Sequence, residues 1–338
     1  MSRSVRFALE PRRNRLSVMR RSGNRVQNPH PFEDPFIARM RAQPHSHTAA
    51  KLHSDGLRPG EPGTELEFSG IFAGMKRVDQ FSVVYQDEHI VVLNKASGLL
   101  VAQDRWDPEA PRLDVLATAE LCGEGERLYA VHRIDKDTSG LVIYGRTDSA
   151  HRTLSMAFEN REVDKTYHAL VHGRPGWDTH EVDVPLRADG DAKHRTVRDK
   201  HKGKDAKTLF TVLAICGPYS WIEAKPITGR THQIRVHLQL SDLTIVCDPL
   251  YGNGEPLLLS RIKRKWQGDE FAERPLLNRL GLHAYKMRIA HPATGEMMEF
   301  TAPYPKDLDS TRKQLAKIYR SDPLAGQEDE ADAADGDE

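Results

Sequence analysis

The sequence predicts an α+β fold, because two kinds of segment follow one another after residue 80. Ser82-Val-Val-Tyr85 and His89-Ile-Val-Val-Leu-Asn94 are β-rich runs joined by Gln86-Asp87-Glu88, which reads as a hairpin. Apolar residues at helical spacings over 112–121 and 148–158 then supply helices that can cover a sheet.

In chain order, the first 75 residues mix Arg, Pro, Ser, Gly and His with no sustained apolar periodicity, apart from a short helical pattern at 35–40. Too little apolar surface is present to offset the entropy of ordering, so residues 1–75 are expected to form a basic, largely flexible extension. Residues 1–60 hold twelve Lys and Arg against four Asp and Glu, whereas everything after Arg320 holds eight acids and no base. A net charge of +0 therefore conceals a basic head and an acidic tail, the latter expected to be disordered over 319–338. The head reads as a plain solvated tail, as an electrostatic arm for phosphate backbones, or as an Arg-rich, acid-poor mitochondrial leader.

Residues 76–318 remain for a single catalytic domain, and a chain that is 38% hydrophobic and 29% charged has the composition of an ordinary soluble protein. No apolar run approaches the length of a bilayer span, and the first thirty residues lack a signal-peptide core. A cytoplasmic protein with no membrane partner is expected. Cys122, Cys216 and Cys247 are far apart and odd in number, which fits buried thiols better than disulfides or a thiolate metal site.

Lys95-Ala96-Ser97-Gly98 closes the first hairpin as a turn. The polar residues 132–139 then precede the apolar run 141–144, the pattern of a polar loop feeding a buried strand. Thr147 or Asp148 is placed to cap the second helix, with Leu154, Met156 and Phe158 as its apolar positions. Tyr167, Ala169 and Val171 alternate with Thr166, His168, Leu170 and His172, a period-two strand with two distinguishable faces. Residues 188–206 are polar and cluster His194, Arg195, Arg198, Lys200, His201, Lys202 and Lys204. They read as an exposed loop or hairpin, either a solvated face or a surface for RNA.

Strands at 208–216 and 220–225 lead into Pro226-Ile-Thr-Gly-Arg-Thr-His-Gln-Ile-Arg235-Val-His-Leu-Gln-Leu240. There Ile234, Val236, Leu238 and Leu240 alternate as in a strand but also form helical i,i+4 pairs. The Thr228-Gly229 turn and Thr231 as a cap favour a helix.

The string His132-Arg133-Ile134-Asp135-Lys136-Asp137-Thr138-Ser139-Gly140-Leu141 resembles the active-site signature of the RluA family of RNA pseudouridine synthases, with Ile134 where Leu is usual. The hairpin ending in Asn94-Lys95 resembles the family's first motif, with Ala96 in place of proline, and residues 226–240 resemble its third. Asp248-Pro249-Leu250-Tyr251-Gly252 and the closing segments around His283, His291 and Phe300 fall in the same register, so the resemblance spans about 77–315. It implies the pseudouridine synthase fold, a mixed and mostly antiparallel central sheet flanked by helices, with the catalytic cleft across it.

By the same resemblance, Asp135 is the catalytic carboxylate, Arg235 the guanidinium that holds it ionised and orients it bidentately, and Tyr167 the active-site tyrosine. Read alone, Tyr167 fits a strand core and Arg235 a helix surface. Arg133 matches the position that fills the gap left by a flipped-out base. His132, Lys95 and Lys165 are further substrate-binding candidates, the two lysines for phosphate contact or site support. The reaction needs neither redox couple nor metal, so no cofactor is expected, and the partner is RNA, ribosomal or transfer. The oligomeric state is not readable. One rival reading is a metal hydrolase built on His168 and His172 or His232 and His237, though no third ligand sits at a recognised spacing. Another is a catalytically silent RNA-binding protein of the same fold.

Overall fold

The structure, a computed structural model, describes residues 80–103 and 110–325. The expected flexible head at 1–75, with its leader reading, and most of the acidic tail lie outside the described residues. The first residues of that tail lie against the body, where Arg312 pairs with Asp322 at 2.8 Å and Pro323 is buried.

The first hairpin forms as β1 (Phe81–Gln86) and β2 (Ile90–Lys95), antiparallel, with the Asp87 carboxylate accepting the backbone N–H groups of His89 and Ile90 to fix the turn. After α1 (Leu113–Leu121) and the two-residue β3 (Tyr129–Ala130), the polar loop feeds β4 (Ser139–Gly145), every residue of which is buried. The helix α2 (Asp148–Glu159) starts where expected, with Thr147 Oγ1 accepting the N–H of Ala150 at 3.1 Å. Then follow β5 (Asp164–His172), β6 (Thr179–Asp183), the small pair β7 (Leu186–Arg187) and β8 (Val197–Arg198), β9 (Lys207–Cys216) and β10 (Tyr219–Pro226). The remainder comprises α3 (Gln233–Leu240), β11 (Thr244–Ile245), the single turn α4 (Leu259–Ile262), β12 (Leu282–Ala290), β13 (Met297–Thr301) and α5 (Lys306–Tyr319).

Eleven strands join one sheet with the main order β1-β2-β4-β12-β5-β10-β9-β6. Among the named strands of the described residues only β4 and β12 pair in parallel, through Ser139 with His283 and Gly140 with Ala284. This join explains the glycine near the end of the 132–141 string. Gly140 has φ +112, and a Cβ there would lie 2.2 Å from the carbonyl oxygen of Ala284, so no other residue fits.

The two faces of β5 diverge as its period-two pattern predicts. Tyr167, Ala169 and Val171 pack with Ile234 and Leu238 of α3, while Leu170 packs with Leu308 and Leu315 of α5. Both faces of this central strand are covered, which makes it the rigid support on which the cleft is built. Cys216 and Cys247 are buried thiols as expected, whereas Cys122 is only half-buried. No helix among the described residues is long and apolar enough to cross a membrane.

Candidate active site

A cleft of about 440 Å³ lies between the 132–138 loop, β5 and the start of α3. It brings together Asp135, Tyr167, Arg235, Arg133, His132 and Lys165, residues up to a hundred positions apart. Five cationic side chains line it, Arg133, Arg161, Lys165, Arg230 and Arg235, against the two carboxylates of Asp135 and Glu159. Such an excess draws a polyanion towards the opening.

Asp135 Oδ2 stands 3.3 Å from Arg235 Nη1, and the carboxylate side chain is 20% exposed, so one side of it faces the cleft. The expected bidentate grip on Asp135 is not what forms. Arg235 donates Nε and Nη2 to Asp248 at 2.8 Å each, leaving Nη1 alone for Asp135. Asp248 is fully buried, and burial by itself would raise its carboxyl. The Arg235 guanidinium and the N–H groups of Leu250 and Tyr251 outweigh that and hold it below the ordinary carboxylate range. The guanidinium carbon also lies 5.0 Å from the centre of the Tyr251 ring. Arg235 is therefore fixed by the 248–251 turn before Asp135 is considered.

Asp248 and Tyr251 as supports of Arg235 were missed from sequence, where residues 248–252 read only as a turn. The available signal was an aspartate in a turn following the arginine helix, which by itself resembles any Asx turn.

Tyr167 projects into the cleft from the centre of β5, between Ala224 of β10 and Ala284 of β12. Burial, reinforced by the charge of Asp135, holds its hydroxyl well above the ordinary phenol value, so the group stays protonated. His132 stacks on Phe158 with centroids 4.4 Å apart, and its Nε2 accepts the N–H of Ile143 at 3.0 Å. Burial, aided by the charge of Lys165, lowers its imidazole to about 3. A neutral ring thus pins the loop to β4. Lys165 lies 6.0 Å over the same Phe158 ring, and burial lowers its ammonium from the ordinary value. Arg133 is exposed, and makes no hydrogen bond or ion pair among the described residues.

Of the two roles read for Lys95, phosphate contact or site support, the structure fits the second. The lysine is fully buried and outside the cleft lining, with Nζ donating to the carbonyl oxygens of Ala96 and Lys136 at 2.8 and 2.9 Å. It ties the first-hairpin turn to the residue after Asp135, which is site support and not phosphate contact. Desolvation lowers its ammonium to about 7, with Asp137 and Asp135 opposing the fall.

Thr231 is likewise not the cap of α3. His232 occupies that position with φ 53, and no side chain caps the helix. Of the four histidines of the metal reading, at least one of each pair has a protein partner: His168 Nδ1 pairs with the Tyr304 hydroxyl, and His237 Nδ1 with Thr208 Oγ1 at 2.9 Å. Among the described residues no three His, Cys, Asp or Glu side chains group to hold a metal.

A family model described as RNA pseudouridylate synthase matches residues 89–240. Ribosomal large subunit pseudouridine synthase D of Zymomonas mobilis is 32% identical over 239 residues, covering 69% of this chain and 72% of that protein. Ribosomal large subunit pseudouridine synthase C of Vibrio vulnificus is 36% identical over 233 residues, 69% of each chain. The solved structure of human RNA pseudouridylate synthase domain containing 4 superposes with a TM-score of 0.53 at 25% identity, over 69% of this chain and 92% of that one.

Proposed function

Because this chain belongs to the RluA-like family of RNA pseudouridine synthases, isomerases that convert uridine to pseudouridine in RNA, we propose that its target is a uridine of ribosomal RNA and that Asp135 is the nucleophile. The observation that carries the assignment is the 3.3 Å approach of Asp135 Oδ2 to Arg235 Nη1, inside a cleft walled by Tyr167 and Lys165. The choice of ribosomal RNA follows the relatives named for the large ribosomal subunit.

Isomerisation breaks the bond between uracil N1 and the ribose, turns the base, joins its C5 to the sugar and then removes the C5 proton. A carboxylate supplies the attacking electron pair without redox help. Arg235, itself anchored to Asp248, fixes where the Asp135 charge sits while leaving its other side open to the nucleotide. Tyr167, kept as a phenol, offers a stacking ring for the detached uracil and a hydroxyl for proton transfer. A uridine in folded RNA must be swung out to reach this depth, and the unengaged guanidinium of Arg133 suits the space it leaves. The cationic lining carries the flanking phosphates, a contribution that weakens as salt rises.

The test is tritium release from C5-labelled ribosomal RNA. The protein is expected to release label, and Asp135→Asn to lower the rate by about a thousandfold or more. Turnover by that variant near the normal rate would remove the nucleophile assignment. Failure of the unaltered protein on ribosomal RNA would remove the substrate.

A further inference from the structure

The turn that opens α3 carries a second functional side chain beside Arg235. His232 has φ 53 and ψ 21, in the left-handed region that a residue with a Cβ adopts only when its surroundings impose it. Here they do so on both sides. Thr228 Oγ1 and the Arg230 N–H donate to Gln233 Oε1 at 2.6 and 3.0 Å, and the Val236 N–H donates to the His232 carbonyl at 3.0 Å. The imidazole that results lines the cleft, with Nε2 4.0 Å from Asp135 Oδ2 and Nδ1 2.9 Å from the Tyr251 hydroxyl.

That second contact bears on where the ring proton sits. The Tyr251 oxygen already accepts the backbone N–H of Thr196 at 2.9 Å. Its own proton is then free to donate, and Nδ1 of His232 is the acceptor beside it. With the Tyr251 hydroxyl as donor, Nδ1 keeps its lone pair and the ring proton sits on Nε2, facing Asp135. Imidazole rings held by a fixed partner on one nitrogen commonly present the other in a defined state.

We propose that His232 is a positioning residue for the carboxylate: a neutral imidazole, locked by Tyr251 as the Nε2–H tautomer, that gives Asp135 Oδ2 a second donor beside Arg235. The proposal rests on the reading of Asp135 as nucleophile. Catalytic hydrogen bonds are often long before substrate arrives, and the role requires the 4.0 Å gap to close in the complex with RNA. Neutrality matters, because an imidazolium here would form an ion pair that draws electron density from the carboxylate. The charged groups facing the ring are Asp135 and Asp248, which favour its protonation, and Arg235 and Arg133, which oppose it. Burial is the largest influence and keeps the ring below its ordinary value.

Two measurements test this. Asn tolerates left-handed backbone, so His232→Asn keeps the turn while withdrawing the donor, and His232→Gln restores an N–H at nearly the reach of Nε2. Single-turnover rate on ribosomal RNA is expected to fall about 10- to 100-fold in His232→Asn and to recover in part in His232→Gln, with RNA affinity within about twofold. Independently, side-chain 15N resonances of the labelled protein report the tautomer: Nδ1 is expected unprotonated, and that preference lost in Tyr251→Phe. An Nδ1–H tautomer in the unaltered protein, a normal rate in His232→Asn, or a fall confined to RNA binding would each overturn the proposal. The tautomer does not depend on turnover, and only activity surviving in Asp135→Asn speaks against the nucleophile, so the two failures are distinguishable.

Discussion

Two arginines hold the loop between Asp135 and Ser139 from opposite ends, and by the same device. Arg235 spends Nε and Nη2 on Asp248 and reaches Asp135 with Nη1; Arg279 spends Nε and Nη2 on Asp307 and reaches Ser139 Oγ with Nη1 at 3.1 Å. In each case a bidentate ion pair fixes a guanidinium, and the spare nitrogen holds the loop. The difference lies in what is held and how deeply.

At the front, Arg235 and Asp248 are 3% and 0% exposed, and the loop residue is a carboxylate open to the cleft. At the rear, Arg279 and Asp307 are 13% and 38% exposed, and the loop residue is a buried hydroxyl that also pairs with His283 Nδ1 at 2.9 Å. A carboxylate proposed to react needs a partner that does not follow it, which the buried pair supplies. A hydroxyl that only anchors backbone tolerates a more exposed clamp.

The largest expected effect separates the two clamps by stability. Asp248→Ala leaves a buried guanidinium with one long contact and is expected to cost about 3–5 kcal/mol, measured by urea unfolding. Asp307→Ala, whose partner keeps access to water, is expected to cost about 1 kcal/mol, and equal losses would show that depth is not what distinguishes the pairs. Next, Arg235→Lys removes the fork that serves both aspartates. Its turnover on ribosomal RNA is expected to fall on the order of 100-fold, whereas Arg279→Lys is expected to stay within about threefold per folded molecule.

A last effect concerns pH at the rear. Burial lowers His283 to about 4 and His168 to about 3, from an ordinary 6.5. The unfolded chain therefore takes up protons first as pH falls through about 6.5, and stability present above that value is lost on the way down to the folded values. Urea unfolding at about pH 7.5 and about pH 5 is expected to differ by roughly 2 kcal/mol for each histidine. His283→Gln is expected to flatten that slope without shifting the pH dependence of turnover.

The elements themselves were legible in the chain because they depend on neighbours in sequence. The β1–β2 hairpin, the Thr147 cap and the period of β5 follow from residues within a few positions, and each forms as read. The loop string and the arginine helix were also legible by family likeness, and the cleft does unite Asp135, Tyr167 and Arg235. Lys95 stayed open between phosphate contact and site support because its type suits either, while its burial is decided by packing. His232 lay within a recognised string, yet its role depends on a backbone angle set by Gln233 and a hydroxyl on Tyr251.

Local pattern by itself determined the first hairpin, the first helices, the central strand and the polar loop, and the family likeness of that loop singled out the carboxylate candidate. Only the tertiary structure decided that Arg235 belongs first to Asp248, that Lys95 faces inward and that Gly140 must pass a neighbouring strand. Propensity and periodicity act over a turn or two of chain. Ion pairing, desolvation and close packing act through space, between groups whose separation along the sequence carries no trace of their meeting.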